Sequence, residues 1–189
     1  MKIGLYSGTF DPIHIGHLII IENVINFMNL DRVILLPTAN PPHKLEREIT
    51  DIKYRMEMVY EAVEDNDKVF VSSYEADSSN VNYSYKTMEY FKSKFPNDDL
   101  YFIMGEDSFN DIHKWRNYNE LLKNNLIVFK RDMGMDSKTY KYDNVYFLDQ
   151  VYTSISSTLI RDLVRNKKSI KYLVLDKVDY IIKKRKLYE

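Results

Sequence analysis

The chain has 189 residues, 44% apolar and 29% charged, with 27 Lys or Arg balanced by 28 Asp or Glu. That composition fits one globular domain with a sizeable core, excludes a disordered chain, and gives no global attraction to nucleic acid. With no cysteine, disulfides, thiolate metal sites and cysteine nucleophiles are excluded; no leader or membrane-length apolar run is seen, so a cytoplasmic protein is expected.

Lys2 to Tyr6 reads as a short buried strand. Leu18 to Met28 has helical spacing, with His17, Ile21, Val24, Ile25 and Met28 on one face. Between them, Ser7-Gly8-Thr9-Phe10-Asp11-Pro12-Ile13-His14-Ile15-Gly16-His17 is a strand-to-helix turn. The break falls at Asp11-Pro12, because the proline ring keeps Asp11 out of the helical region. Gly8 permits a sharp turn or close approach to a ligand. The unpaired N–H groups and partial positive charge of the helix start suit a phosphate. His14 and His17 share one side of that first turn, and Gly16 keeps the surface between them low.

Asp31 to Leu36 is a second strand, ended by Pro37. The loop Asn40-Pro41-Pro42-His43-Lys44 is stiffened by two prolines and projects His43 and Lys44 from the carboxyl end of that strand, where open α/β sheets place ligands. Asp51 to Glu64 is an amphipathic helix with Ile52, Met56, Val59, Tyr60 and Val63 on its apolar stripe. Val69 to Ser72 is a third strand. A helix follows from Ser84 to Phe95, with Thr87, Met88, Phe91 and Phe95 inward. Leu100 to Met104, apolar on both faces, runs into Gly105-Glu106-Asp107 and a short helix reaching Trp115. Leu126–Lys130 and Val145–Leu148 are further strands. Ile155-Ser156-Ser157-Thr158-Leu159-Ile160-Arg161 is a hydroxyl-rich cap opening a helix, with an arginine one turn in. Tyr172 to Tyr188 is a last helix with Val174, Val178, Ile181 and Ile182 inward. From Arg161 onward, ten Lys or Arg face four Asp or Glu, the pattern of a solvated helix face.

Alternating strands and helices imply an α/β fold with a doubly wound, mostly parallel sheet covered on both faces. Residues 1–189 read as a single domain, with about 153–189 as a small C-terminal helical lobe. Of four histidines, His14, His17 and His43 fall in the segments suited to phosphate.

Several of these segments together resemble a known family. H-x-G-H in the frame G-T-F-D-P-I-H, then P-P-H-K, Tyr54-Arg55-Met56-Glu57-Met58, Gly105-x-Asp107 with Trp115 eight residues beyond the Asp, and I-S-S-T-x-x-R occur in one order. The set is similar to that of the nicotinate-nucleotide adenylyltransferases, Rossmann-like members of the H-x-G-H nucleotidyltransferase superfamily. The resemblance runs from Lys2 to Leu187-Tyr188. It implies transfer of AMP from ATP to nicotinate mononucleotide, giving deamido-NAD and pyrophosphate in NAD biosynthesis. Under it, His14, His17, Lys44 and Arg161 carry catalysis. ATP is held by Gly8, Thr9, Phe10, His14, Gly16, His17, Gly105, Asp107, Ile155, Ser156, Ser157 and Arg161. Ser84, Trp115, Arg116, His43 and Lys44 hold the mononucleotide. Mg²⁺ rides in on ATP, with no dedicated metal cage. No nucleic acid or membrane partner is implied, and a homo-oligomer is left open. Asp11 receives no role beyond its turn. The chain departs from the family at Asn82, Ser84 and Lys86. The rival readings are an adenylyltransferase acting on nicotinamide mononucleotide or another superfamily substrate, and a nucleotide-binding protein without turnover.

Overall fold

The computed structural model describes residues 1–41, 49–78, 81–130, 142–148 and 154–189. Six strands form one sheet: β1 (Lys2–Gly8), β2 (Arg32–Pro37), β3 (Val69–Val71), β4 (Asp99–Gly105), β5 (Asn125–Phe129) and β6 (Val145–Leu148). Every pairing is parallel, in the order β3-β2-β1-β4-β5-β6. The helices are α1 (Ile15–Met28), α2 (Ile52–Val63), α3 (Ser84–Lys94), α4 (Glu106–Asn110), α5 (Tyr118–Leu122), α6 (Ser157–Arg165) and α7 (Asp176–Arg185).

The strands are apolar on both faces because both are covered, and alternate residues supply two separate cores. Tyr6, Val33, Leu35, Ile103 and Phe129 point to one face, joined by Ile20, Val24 and Ile25 of α1 and Val59 of α2. Ile160 of α6 and Val178, Ile181 and Ile182 of α7 belong to the same cluster, so the C-terminal helices share the sheet's core. Ile3, Leu5, Leu36, Phe102 and Val128 point to the other face, under Met88 and Phe91 of α3, Phe109 of α4 and Leu121 of α5. Full burial of each such Ile, Leu or Phe contributes roughly 1.5–3 kcal/mol.

Three helices differ from the periodicity. Helix α1 begins at Ile15, three residues before Leu18, because His14 in an extended conformation serves as its N-cap. Helix α2 buries Arg55, Met58, Val59, Ala62 and Val63, while Met56 is half-buried and Tyr60 is 49% exposed. The stripe turns toward Arg55 because that guanidinium has main-chain partners inside. Helix α7 covers Asp176 to Arg185 rather than 172–188, since Tyr172 and Lys186 adopt left-handed backbone and Val174 bridges Lys171. Residue 153, the expected start of the C-terminal lobe, lies outside the described residues.

The strand order sets the site. From β1 the chain winds outward through β2 to β3, then returns to β4 on the opposite side of β1. The carboxyl ends of β1 and β4, Gly8 and Gly105, therefore flank the point where winding reverses. Open α/β sheets bind ligands in that crevice.

Candidate active site at the carboxyl ends of β1 and β4

A cavity of about 650 Å³ opens there. Its first wall is the turn after β1. A Cβ on Gly8 would lie 2.9 Å from the Phe10 ring, so glycine is needed because that ring folds back onto the strand. Phe10 reaches this position with φ of 47°. Its ring meets Tyr6 and His17 edge-on at centroid distances of 5.5 and 5.1 Å.

His14 and His17 are both buried and both line the cavity. Their rings stack with centroids 3.7 Å apart. The His14 backbone N–H donates to His17 Nδ1 at 3.2 Å. An Nδ1 that accepts places the proton of a neutral imidazole on Nε2. His17 is thus set up as an Nε2–H donor beside the helix start.

Asp11, given no role by its sequence, is a joint between distant segments. Its carboxylate accepts from Tyr188 Oη at 2.8 Å and from the Thr50 N–H at 3.4 Å. Its carbonyl accepts from Arg161 Nη1 at 2.6 Å, while Ser157 Oγ donates to the neighbouring Pro12 carbonyl at 3.0 Å. Ser156 caps α6 as expected, accepting from the Leu159 N–H at 3.2 Å. The two sequence signatures, 145 and more residues apart, meet through main-chain carbonyls.

Two further charged groups brace the turn. Arg55, 1% exposed, donates from Nη1 to the carbonyls of Thr9 and Thr38 at 2.7 and 2.8 Å, and from Nε to Thr50 O at 2.7 Å. Burial lowers its pKa from the ordinary value. Glu75, equally buried, accepts hydroxyl donors from Ser7 at 2.7 Å, Thr38 at 2.5 Å and Thr87 at 2.7 Å. Desolvation pushes its carboxyl pKa upward against the opposing pull of those hydrogen bonds. Glu75 ties β1, the end of β2 and α3 together behind the cavity. For Arg55 the sequence signal was a charge at the helical spacing of Met58, Val59 and Ala62. For Glu75 and Tyr188 no local pattern exists.

The second wall comes from β4 and the segments beyond it. Asp107 is exposed in the first turn of α4, and Trp115 is half-buried at the end of the 3-10 turn that follows. The Arg116 guanidinium lies over the Tyr83 ring, 5.1 Å from its centroid, and donates to Tyr83 Oη at 3.4 Å. Tyr83 caps α3, whose first residue is Ser84.

The cavity is lined by Gly8, Thr9, Phe10, His14, His17, Ser84, Gly105, Asp107, Trp115, Arg116, Ile155, Ser156, Ser157 and Arg161. All were expected from the sequence, and the fold brings them to one place. Gly16 is buried within α1 and does not line it. His43 and Lys44 lie outside the described residues. Among the described residues no three His, Asp or Glu side chains converge as a metal cage. No helix among them is long and apolar enough to cross a membrane.

Comparison with known proteins bears on the family and the fold. Residues 5–163 match the cytidylyltransferase-like family. A Clostridium tetani protein named "probable nicotinate-nucleotide adenylyltransferase" is 41% identical, covering 99% of this chain and 98% of its own length. A Caldicellulosiruptor bescii protein of the same name is 38% identical over the full length of both. The fold of a Plasmodium falciparum nicotinic acid mononucleotide adenylyltransferase, solved with NaAD, superposes with a TM-score of 0.84 at 21% identity. That match covers 99% of this chain and 97% of the other.

Proposed function

The chain belongs to the nicotinate-nucleotide adenylyltransferase family, within the cytidylyltransferase-like proteins, and we propose that it transfers AMP from ATP to nicotinate mononucleotide. An oxygen of the mononucleotide 5′-phosphate bonds to the α-phosphorus of ATP as the bond from that phosphorus to the bridging oxygen breaks. The products are deamido-NAD and pyrophosphate. No protein nucleophile takes part, so the protein's work is to align two anions and to stabilise charge on the transferring phosphoryl group.

His17 donates from Nε2 to an α-phosphoryl oxygen, and His14 donates beside it. The N–H groups of the first turn of α1 add oriented dipoles. Arg161, with Nη1 held on the Asp11 carbonyl, and Lys44 offset repulsion between the triphosphate and the incoming phosphate. Asp107 accepts from ribose hydroxyls. Trp115 gives a stacking face to the positively charged pyridine ring, and backbone N–H groups near Ser84 and Arg116 take its carboxylate. Mg²⁺ would enter with ATP rather than on a site of this chain, and would offset negative charge on the leaving pyrophosphate.

One observation carries this reading. A single cavity at the sheet's reversal point has the two stacked histidines on one wall and Trp115 on the other. The test is to mix the protein with ATP, Mg²⁺ and nicotinate mononucleotide and follow pyrophosphate and deamido-NAD. Release of both, in equal amounts, is expected. A protein that binds ATP but forms neither product with any mononucleotide would be a binding protein instead.

A further inference from the structure

Asp11 sits where the ATP-handling parts of the cavity join, and its side chain is held from far away in the chain. Its carbonyl holds Arg161 and the next carbonyl holds Ser157. Three residues further on, His14 caps α1. Wherever the Asp11 carboxylate is fixed, these groups are fixed with it. Of the donors it meets among the described residues, the Thr50 N–H is long at 3.4 Å and the Tyr188 hydroxyl is short at 2.8 Å. The phenol is the stronger tie, and it comes from 177 residues away.

The chain reaches this contact by an unusual path. After α7, Lys186 and Tyr188 both adopt left-handed backbone, at φ of 52° and 67°. Non-glycine residues enter that region only when surrounding contacts hold them there. Leu187 is buried in the core of the first face, and the Tyr188 ring packs against that core. Burial and the neighbouring Asp11 charge raise the ionisation of this phenol far above its ordinary value. It therefore stays a donor at every working pH.

We propose that Tyr188 is a positioning residue for adenylyl transfer, acting through Asp11 to set the ATP side of the cavity. It adds to the family reaction above and rests on that reading. The mononucleotide side, built from Ser84, Trp115 and Arg116, lies on other elements. Loss of the Tyr188 hydroxyl should therefore separate the two substrates kinetically.

Tyr188→Phe keeps the ring and deletes the donor. The expected result is a fall in kcat/KM for ATP of about tenfold, the scale of one lost hydrogen bond to a charged group. The KM for nicotinate mononucleotide should stay within about twofold of wild type, since its subsite keeps every contact. An inert ATP analogue, titrated calorimetrically, should bind Tyr188→Phe more weakly than wild type. Asp11→Asn completes a double-mutant cycle. Because Tyr188 acts through Asp11, the double variant should be no worse than Asp11→Asn alone. Unchanged ATP kinetics in Tyr188→Phe, a KM for nicotinate mononucleotide raised as far as that for ATP, or additive effects in the cycle would each overturn the proposal. Failure of the wild type to make deamido-NAD would count against the activity itself, while the analogue titration would still report on Tyr188.

Discussion

His17 is held by a ring edge from Phe10, a stacked His14 and an N–H on Nδ1. So constrained, an imidazole needs no reorganisation when charge develops on a phosphoryl oxygen. Losing one such donor costs about 2.7–4 kcal/mol, or roughly 10²–10³ in rate. His17→Ala should lose that much kcat in a pyrophosphate-release assay with the fold retained, and His14→Ala should lose as much while also weakening ATP binding. A near-normal His17→Ala would sink this mechanism. Glu75 makes a different demand. Its folded pKa is raised above the ordinary 4.5 by burial, so the folded state holds this proton more tightly than the unfolded one. That stabilisation is complete below about 4.5 and is lost as pH rises through the folded value. Glu75→Gln cannot titrate. The difference in Tm, variant minus wild type, should therefore grow more positive from pH 4 to pH 8. A difference that stays constant with pH would mean that this carboxyl titrates alike in both states.

Helix α2 shows how an apolar pattern misleads when a charge belongs inside. Ile52, Met56, Val59, Tyr60 and Val63 fit a stripe, but hydrophobicity alone gives Arg55 no inward weight. The fold turns the helix so that one guanidinium braces three carbonyls, two of them on the segments that follow β1 and β2. Arg55→Leu leaves one buried and two part-buried acceptors without that donor. The loss should be about 3 kcal/mol or more, because hydrogen bonds to charged groups are worth roughly 1.5–3 kcal/mol each. Urea unfolding should show a lower midpoint at unchanged slope. Arg55→Lys should recover only part of it, since an ammonium lacks the spread of the planar fork. A midpoint within experimental error of wild type for Arg55→Leu would show that water satisfies those carbonyls. Helix α7 carries the same lesson. Val174, Val178, Ile181 and Ile182 keep helical spacing, yet Tyr172 and Lys186 leave the helix by backbone torsion, which side-chain pattern does not record.

Across the molecule, what could be read from sequence was what is local. Strand, turn and helix around His14, the Ser156 cap and the Gly105-to-Trp115 segment each declare themselves within a dozen residues. Their convergence follows from the parallel sheet, because winding must reverse somewhere and ligands gather at that point. The braces were not legible, since Ser7 with Glu75 or Asp11 with Tyr188 pairs residues 68 and 177 apart with no period to link them. Under the proposed function, the same architecture would divide the substrates. The histidines come from the turn between β1 and α1, whereas Trp115 lies beyond β4 and α4, in the second core cluster's margin. Removing the tryptophan should thus disturb one substrate and spare the other. Stacking of a base on an aromatic face is worth about 1–3 kcal/mol, so Trp115→Ala should raise the mononucleotide KM by roughly tenfold or more. The KM for ATP should stay near wild type. Under the proposed function, selection of the acid over the amide would rest on separate groups, the N–H donors near Ser84 and Arg116. A carboxylate accepts at both oxygens, whereas an amide turns its NH₂ toward a donor and leaves buried groups unpaired. The ratio of kcat/KM for nicotinate over nicotinamide mononucleotide should therefore be large in wild type and persist in Trp115→Ala, with both rates lowered together. A ratio near one in the wild type would assign this chain a dual specificity and would direct attention to Asn82, Ser84 and Lys86 around the start of α3.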